Sequence, residues 1–340
     1  DLIEQGVTLS RTDEKLVEMS NGCICCTLRE DLLIEIRKLA EEGRFDYLLI
    51  ESTGISEPLP VAETFTFEDE QGKSLGSVAR LDTMVTVVDS LNFLADYEAG
   101  KLLKDRGLQA NENDERTLSD LLVEQVEFAD VIILNKTDLV SAEQIKLLYT
   151  IIKNLNPDAK IVESQFGKIN LKEILNTGRF DFHKASQAPK WLKEIRGQHT
   201  PETEEYGISS FVFQESRPFD PHRLHSLFSK KWAGVIRAKG FFWISSRKDL
   251  AWEFSQAGGM RRWTTIGTWW ASKKSEEWPK EPERQIEIKK DWHPRFGDRK
   301  QKIVVIGKKE HFGAIKKALR TALATDTEIE TVIKDDPFTQ

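Results

Sequence analysis

Three cysteines, Cys23, Cys25 and Cys26, are the whole cysteine complement of this 340-residue chain, and they fall within four residues. Thiolates are soft ligands, and three of them at positions i, i+2 and i+3 can converge on one ion if the chain turns between them. Gly22 permits that turn. The N-terminal end of the helix expected from Leu28 would lower the thiol pKa values. Zinc normally takes four ligands, so a fourth must come from another residue or from water. An incomplete set suits a carrier that lets its ion go, whereas a closed four-cysteine site suits structure. Redox sensing is the competing chemistry, and inert reduced cysteines the bland reading.

A second constellation could read a nucleotide. Asn135-Lys136-Thr137-Asp138 directly follows the apolar run Val131–Leu134 and precedes a helix start. An aspartate so placed accepts two hydrogen bonds from the N1 and N2 groups of guanine, which adenine cannot supply. Asn135 would bond the base edge and tie neighbouring loops together, with the stem of Lys136 against the ring. A site of this kind discriminates strongly, because the wrong base leaves buried polar groups unpaired. Alone, the tetrapeptide is equally a surface turn. Glu51-Ser52-Thr53-Gly54 also follows an apolar run. Glu51 can hold Mg²⁺ through a water, since that ion dehydrates reluctantly, and Gly54 lets a backbone N–H approach a terminal phosphate. These two are the candidate catalytic residues, against the alternative of an ordinary strand-ending turn. Ser164-Gln165-Phe166-Gly167 is a third turn, which either closes over the base, with Ser164 as a contact, or is a simple loop.

The elements needed to position these residues are legible. Tyr47–Ile50, Met84–Val88, Val131–Leu134 and, more weakly, Lys160–Val162 are continuous apolar runs, as expected for strands covered by helices on both faces. Thr27 with Glu30, and Ser141 with Gln144, form capping boxes; Gly43 and Pro157 supply stops. The pattern predicts an α/β fold, a doubly wound mostly parallel sheet, in which ligands sit at the carboxyl ends of strands. Residues 181–205, polar and containing Pro189 and Pro201, read as a linker from this unit (1–180) to a second (206–333). Eight of the nine tryptophans lie beyond Tyr206, so the second unit has its own character. Its expected order is strand 208–214, helix 221–232, strand 235–245, aromatic strand-like segments, strand 302–306 and helix 312–323. That order predicts a smaller α+β domain, of split βαβ form. The loop 109–116 and a tail, 334–340, read as mobile.

Composition excludes some partners. A net charge of −7 argues against a grip on nucleic-acid phosphates. No apolar run approaches the roughly 18 residues of a membrane span. An odd number of clustered cysteines is not a disulfide framework and fits a reducing, cytoplasmic setting.

Taken together, the chain resembles the CobW-type metallochaperone GTPases, relatives of the nickel-insertion GTPases of hydrogenase and urease maturation. The resemblance rests on Gly22-Cys23-Ile24-Cys25-Cys26-Thr27-Leu28-Arg29, on Glu51 to Pro58 and on Asn135 to Leu139. In the second half it rests on Arg237-Ala238-Lys239-Gly240-Phe241-Phe242-Trp243 and on Gly297-Asp298-Arg299. It implies a P-loop GTPase fold, GTP and Mg²⁺ as cofactors, and GTP hydrolysis coupled to delivery of Zn²⁺ or Co²⁺ from Cys23, Cys25 and Cys26. The second domain would then meet a client metalloprotein. A non-hydrolysing metal sensor and a cobalt-insertion factor of cobalamin synthesis are the rivals. Family members begin with a Gly-rich loop ending in Gly-Lys-Ser/Thr, which this sequence does not contain. The resemblance therefore places the phosphate-binding loop upstream of Asp1 and expects the 340 residues alone to be inactive. His183 and His199 are too few to make the linker a histidine-rich metal store. The tryptophans, Trp269 and Trp270 among them, read as core or as docking anchors.

Overall fold

Helix α1 (Arg29–Glu41) stops where the sequence placed the stop: the Gly43 N–H bonds the Ala40 carbonyl and Gly43 itself adopts φ +60°. The structure, a computed structural model, describes residues 29–52, 75–99, 117–181 and 207–331, with positions 58, 61, 62, 65, 333 and 335–338. Cys23, Cys25, Cys26, Gly54, the loop 109–116 and most of the linker lie outside the described residues.

The first unit continues through β1 (Val85–Asp89), α2 (Phe93–Ala99), α3 (Leu118–Glu127), β2 (Val131–Asn135), α4 (Ala142–Leu155) and β3 (Lys160–Glu163). The three strands are parallel in the order β1-β2-β3. Central β2 is buried from Val131 to Leu134, which explains its unbroken apolar run. Val123 and Val126 of α3 and Leu148, Ile152 and Leu155 of α4 pack in the same core. Helix α4 carries the expected reciprocal capping box of Ser141 and Gln144.

Tyr47–Ile50 departs from expectation. The segment forms no strand, and Leu49 is 71% exposed. Apolar β-formers become a strand only when a neighbour completes the ladder, and among the described residues β1 pairs with β2 alone. Two contacts hold this segment: the Tyr47 hydroxyl donates to Asp82 at 2.8 Å, and Ile50 packs against buried Ile36 and Leu75.

The second unit consists of β4 (Ile208–Glu215), α5 (Pro221–Phe228), β5 (Val235–Phe242), β6 (Leu250–Ala257), β7 (Met260–Thr268), α6 (Pro282–Lys289), β8 (Gln301–Lys308), α7 (Phe312–Ala322) and α8 (Asp326–Ile329). The sheet order is β4-β8-β5-β6-β7. Both β4 and β5 run antiparallel to β8, so they are parallel to each other with β8 between them. This is the split βαβ arrangement. Alternate residues of β8 serve two cores. Ile303 and Val305 join the aromatic cluster of Phe219, Phe228, Phe242 and Phe254, whereas Val304 and Ile306 face the core that holds α3 and α4.

The two units are therefore joined by shared apolar packing, and polar groups pin the junction. Arg237 of β5 is 1% exposed; its Nε donates to Glu127 Oε1 of α3 at 3.1 Å and its Nη1 to Ser255 Oγ at 3.0 Å. Tyr97 of α2 donates its hydroxyl to the Ile236 carbonyl, and Ser119 Oγ donates to the Tyr97 carbonyl at 2.6 Å. Gly258 lies so close to that carbonyl that a Cβ would collide with it.

Residues 335–338 depart from the expected mobile tail. Phe338 is 2% exposed and packs its ring against His225, Phe242, Trp252 and Trp263. Asp336 accepts from Arg247 Nε at 2.7 Å and from Ser246 Oγ at 2.9 Å. A single aromatic in a short polar stretch suffices to dock it when a matching recess exists. Trp269 is a core residue, its Nε1 donating to the Leu250 carbonyl, while Trp270 lies edge-on to Trp278 beneath Lys273.

Candidate nucleotide site

The parallel register places Asp89 of β1 beside Asn135 of β2, with Leu134 beside Glu163 of β3. The three carboxyl ends thus open onto one edge, and the loops leaving them interlock. Ser90 N donates to the Asn135 carbonyl at 3.0 Å. Thr137 bonds the Ser164 carbonyl twice, through its N–H at 3.2 Å and its Oγ1 at 3.1 Å. Asn135 Oδ1 accepts from Gly167 N at 3.0 Å. The Asn135–Asp138 segment and the 164–167 turn, separate in sequence, are joined here through Asn135 and Thr137.

The backbone is unusual at two points. Lys136 sits in the left-handed region at φ 62°, ψ 34°, and Phe166 at φ +55°. Non-glycine residues pay for this conformation, so it persists where the surroundings fix it. The flanking β2 ladder and the Thr137–Ser164 bonds do so for Lys136. Phe166 is 81% exposed, a large ring held at the rim without a core to fill. Asp138 is exposed in the middle of the short turn 137–139, whereas Ser164 is buried and its Oγ donates to the Lys168 carbonyl at 3.3 Å.

One residue was not foreseen. Lys136 Nζ donates to Asp89 Oδ2 at 2.7 Å. Asp89 also accepts from Asn92 Nδ2 at 2.9 Å and from the N–H groups of Leu91 and Asn92. Partial burial pushes its carboxyl up, but the bonds from Lys136, Asn92 and those two backbone amides outweigh it and hold the pKa below the usual aspartate value. The available signal was an acidic residue ending the strand next to Asn135–Asp138. Glu51 lies exposed in the segment 47–52, which has no regular secondary structure. Among the described residues no three His, Cys, Asp or Glu side chains gather as a metal site, and no helix is long and apolar enough to cross a membrane.

The described architecture is that of an α/β nucleotide-binding unit with an appended α+β domain. Residues 3–163 match the model of the CobW/HypB/UreG nucleotide-binding domain, and residues 208–323 that of the cobalamin synthesis protein cobW C-terminal domain. The chain is 52% identical over 321 residues to the zinc-regulated GTPase metalloprotein activator 1 of Dictyostelium discoideum, covering 93% of this chain and 67% of that protein. It is 26% identical over 333 residues to a zinc chaperone of Mycobacterium tuberculosis, covering 95% of this chain and 79% of the relative. A solved structure of Zn(II)-bound YjiA GTPase from E. coli aligns at 20% identity and a TM-score of 0.34, over 87% of this chain and 77% of that one. The chain belongs to the CobW family of GTPases.

Proposed function

We propose that this chain reads guanine at the carboxyl ends of β1, β2 and β3 and serves a GTP-dependent metal chaperone, with Zn²⁺ or Co²⁺ as cargo. The observation that supports this most is the bond from Gly167 N to Asn135 Oδ1, which joins the 164–167 turn to the strand end that carries Asn135–Asp138. In this reading Asp138 accepts the guanine N1 and N2 protons, the stem of Lys136 lies along one face of the purine, and Phe166 walls the other. Ser164 shapes the loop through its carbonyl, which anchors Thr137. Glu51 holds Mg²⁺ through water, for which an exposed carboxylate is suited, and Gly54 lies beside the terminal phosphate. Bound Mg²⁺ supplies charge neutralisation at the phosphates. Cys23, Cys25 and Cys26 carry the cargo, and the second domain meets the client metalloprotein.

The names of the relatives, a zinc-regulated metalloprotein activator and a zinc chaperone, favour zinc over cobalt as the cargo. Phosphate release by the complete protein, with and without stoichiometric zinc, tests the reading. GTP hydrolysis that responds to zinc is expected. Zinc retention without any GTP hydrolysis would leave a metal-binding protein in place of a GTPase chaperone.

A further inference from the structure

We infer that Asp89 is a positioning residue of the nucleotide site, fixing the Lys136 ammonium so that the lysine stem forms a preset floor for the purine. This rests on the guanine-site reading above and adds a residue to it. The parallel register sets Asp89 abreast of Asn135, so its carboxylate stands one residue from the lysine it binds. The left-handed backbone of Lys136 turns the chain out of β2 at that point, and the 2.7 Å contact to Asp89 Oδ2 fixes the other end of the side chain. A lysine anchored at both ends loses little further freedom when a flat ligand lies against its methylenes.

The two oxygens of Asp89 divide their work. Oδ1 accepts from the N–H groups of Leu91 and Asn92 and so holds the turn into α2. Oδ2 takes Lys136 and the Asn92 side chain. Of these four bonds, only the one from Lys136 comes from outside the turn. Asp89→Asn can retain the turn acceptor while removing the charge that Lys136 seeks, which separates the two roles.

The experiment measures equilibrium binding and dissociation rates of fluorescent GTP, ITP and XTP analogues. It uses the complete protein as wild type, Asp89→Asn, Asp89→Glu, Lys136→Met, the double variant Asp89→Asn/Lys136→Met, and Asp138→Asn. Asp89→Asn is expected to weaken all three nucleotides alike, about three- to tenfold, mainly through faster release, because a stacked stem does not distinguish purines. Asp89→Glu should recover part of the loss. In the Lys136→Met background the Asp89→Asn penalty should vanish, which a purely structural turn residue would not show. An equal penalty in both backgrounds, or wild-type binding by Asp89→Asn, overturns the inference. Asp138→Asn is the control for the underlying reading. If it switches preference from GTP to XTP while Asp89→Asn is silent, only the positioning role falls; if preference is unchanged, the guanine site falls and the inference with it.

Discussion

Removing Glu127 should cost more stability than removing almost any other polar side chain. Its carboxylate is 2% exposed and faces the equally buried Arg237 guanidinium across the junction between the two units. An exposed ion pair is worth only about 0–1 kcal/mol, since water and salt screen it and two long side chains must be ordered. Burial changes the sign of the question, because Arg237 remains charged whatever happens to its partner. In Glu127→Ala the guanidinium keeps the Ser255 Oγ contact and the electrostatic pull of Asp120 and Glu124, but stays desolvated without its bonded carboxylate. Breaking a buried pair from one side costs about 3–5 kcal/mol. At about 2.1 cal/mol/K of unfolding entropy per residue, a chain of 340 residues loses about 1.4 °C per kcal/mol, so the melting temperature should fall by roughly 4–7 °C. Replacing both members, as Glu127→Leu with Arg237→Met, removes the orphaned charge and should return most of that loss. Urea unfolding of wild type, both single variants and the double variant gives the coupling energy directly. A Glu127→Ala cost below about 1 kcal/mol would show that water reaches Arg237 and that the pair does not clamp the units together.

Other predictions address separate parts of the molecule. Asp82 accepts from Tyr47, Thr83 and the N–H groups of Thr177 and Gly178; burial raises its pKa, but these bonds prevail and lower it to about 2. Its contribution, of order 1–2 kcal/mol after solvent screening, is fully present above the unfolded aspartate pKa near 4 and is lost as pH falls through about 2. Acid titration of stability should therefore flatten in Asp82→Asn, and an unchanged profile would remove Asp82 from that role. Phe338→Ala should destabilise by about 3–5 kcal/mol in urea unfolding, the cost of emptying an aromatic core site, whereas a loose tail would give no change. Serine at Cys23, Cys25 or Cys26 should weaken zinc binding, and cobalt loading should give a thiolate charge-transfer band absent from the triple variant. Survival of that band would move the metal site elsewhere.

Local chemistry made much of this legible. The Ser141–Gln144 capping box, the unbroken apolar run of β2 and the strand-then-Asn135–Asp138 order each encode one element through neighbours in sequence. Position at a strand's carboxyl end was enough to place the candidate base residues on one edge. What escaped depends on partners far along the chain. Tyr47–Ile50 has strand composition, but pairing decides strands and nothing local reports a missing neighbour. Arg237 stood out only as part of a family signature; its burial against Glu127 is set by two units 110 residues apart. Asp89 looks like an ordinary turn-starting aspartate, and only the parallel register reveals Lys136 beside it. Phe338 was hidden by its polar surroundings, because its recess is built by α5, β5, β6 and β7.

The most direct test of the central claim is the nucleotide preference of Asp138→Asn in the complete protein, titrated with GTP and XTP in the presence of Mg²⁺. An amide cannot accept both guanine protons but can donate to the extra oxygen of xanthine, and polar recognition of this kind gives large discrimination. GTP affinity should fall and XTP affinity rise, reversing the preference, with hydrolysis following the bound nucleotide. Undiminished GTP binding would contradict the assignment of Asn135–Asp138 to the base and leave the site at the strand ends without its ligand.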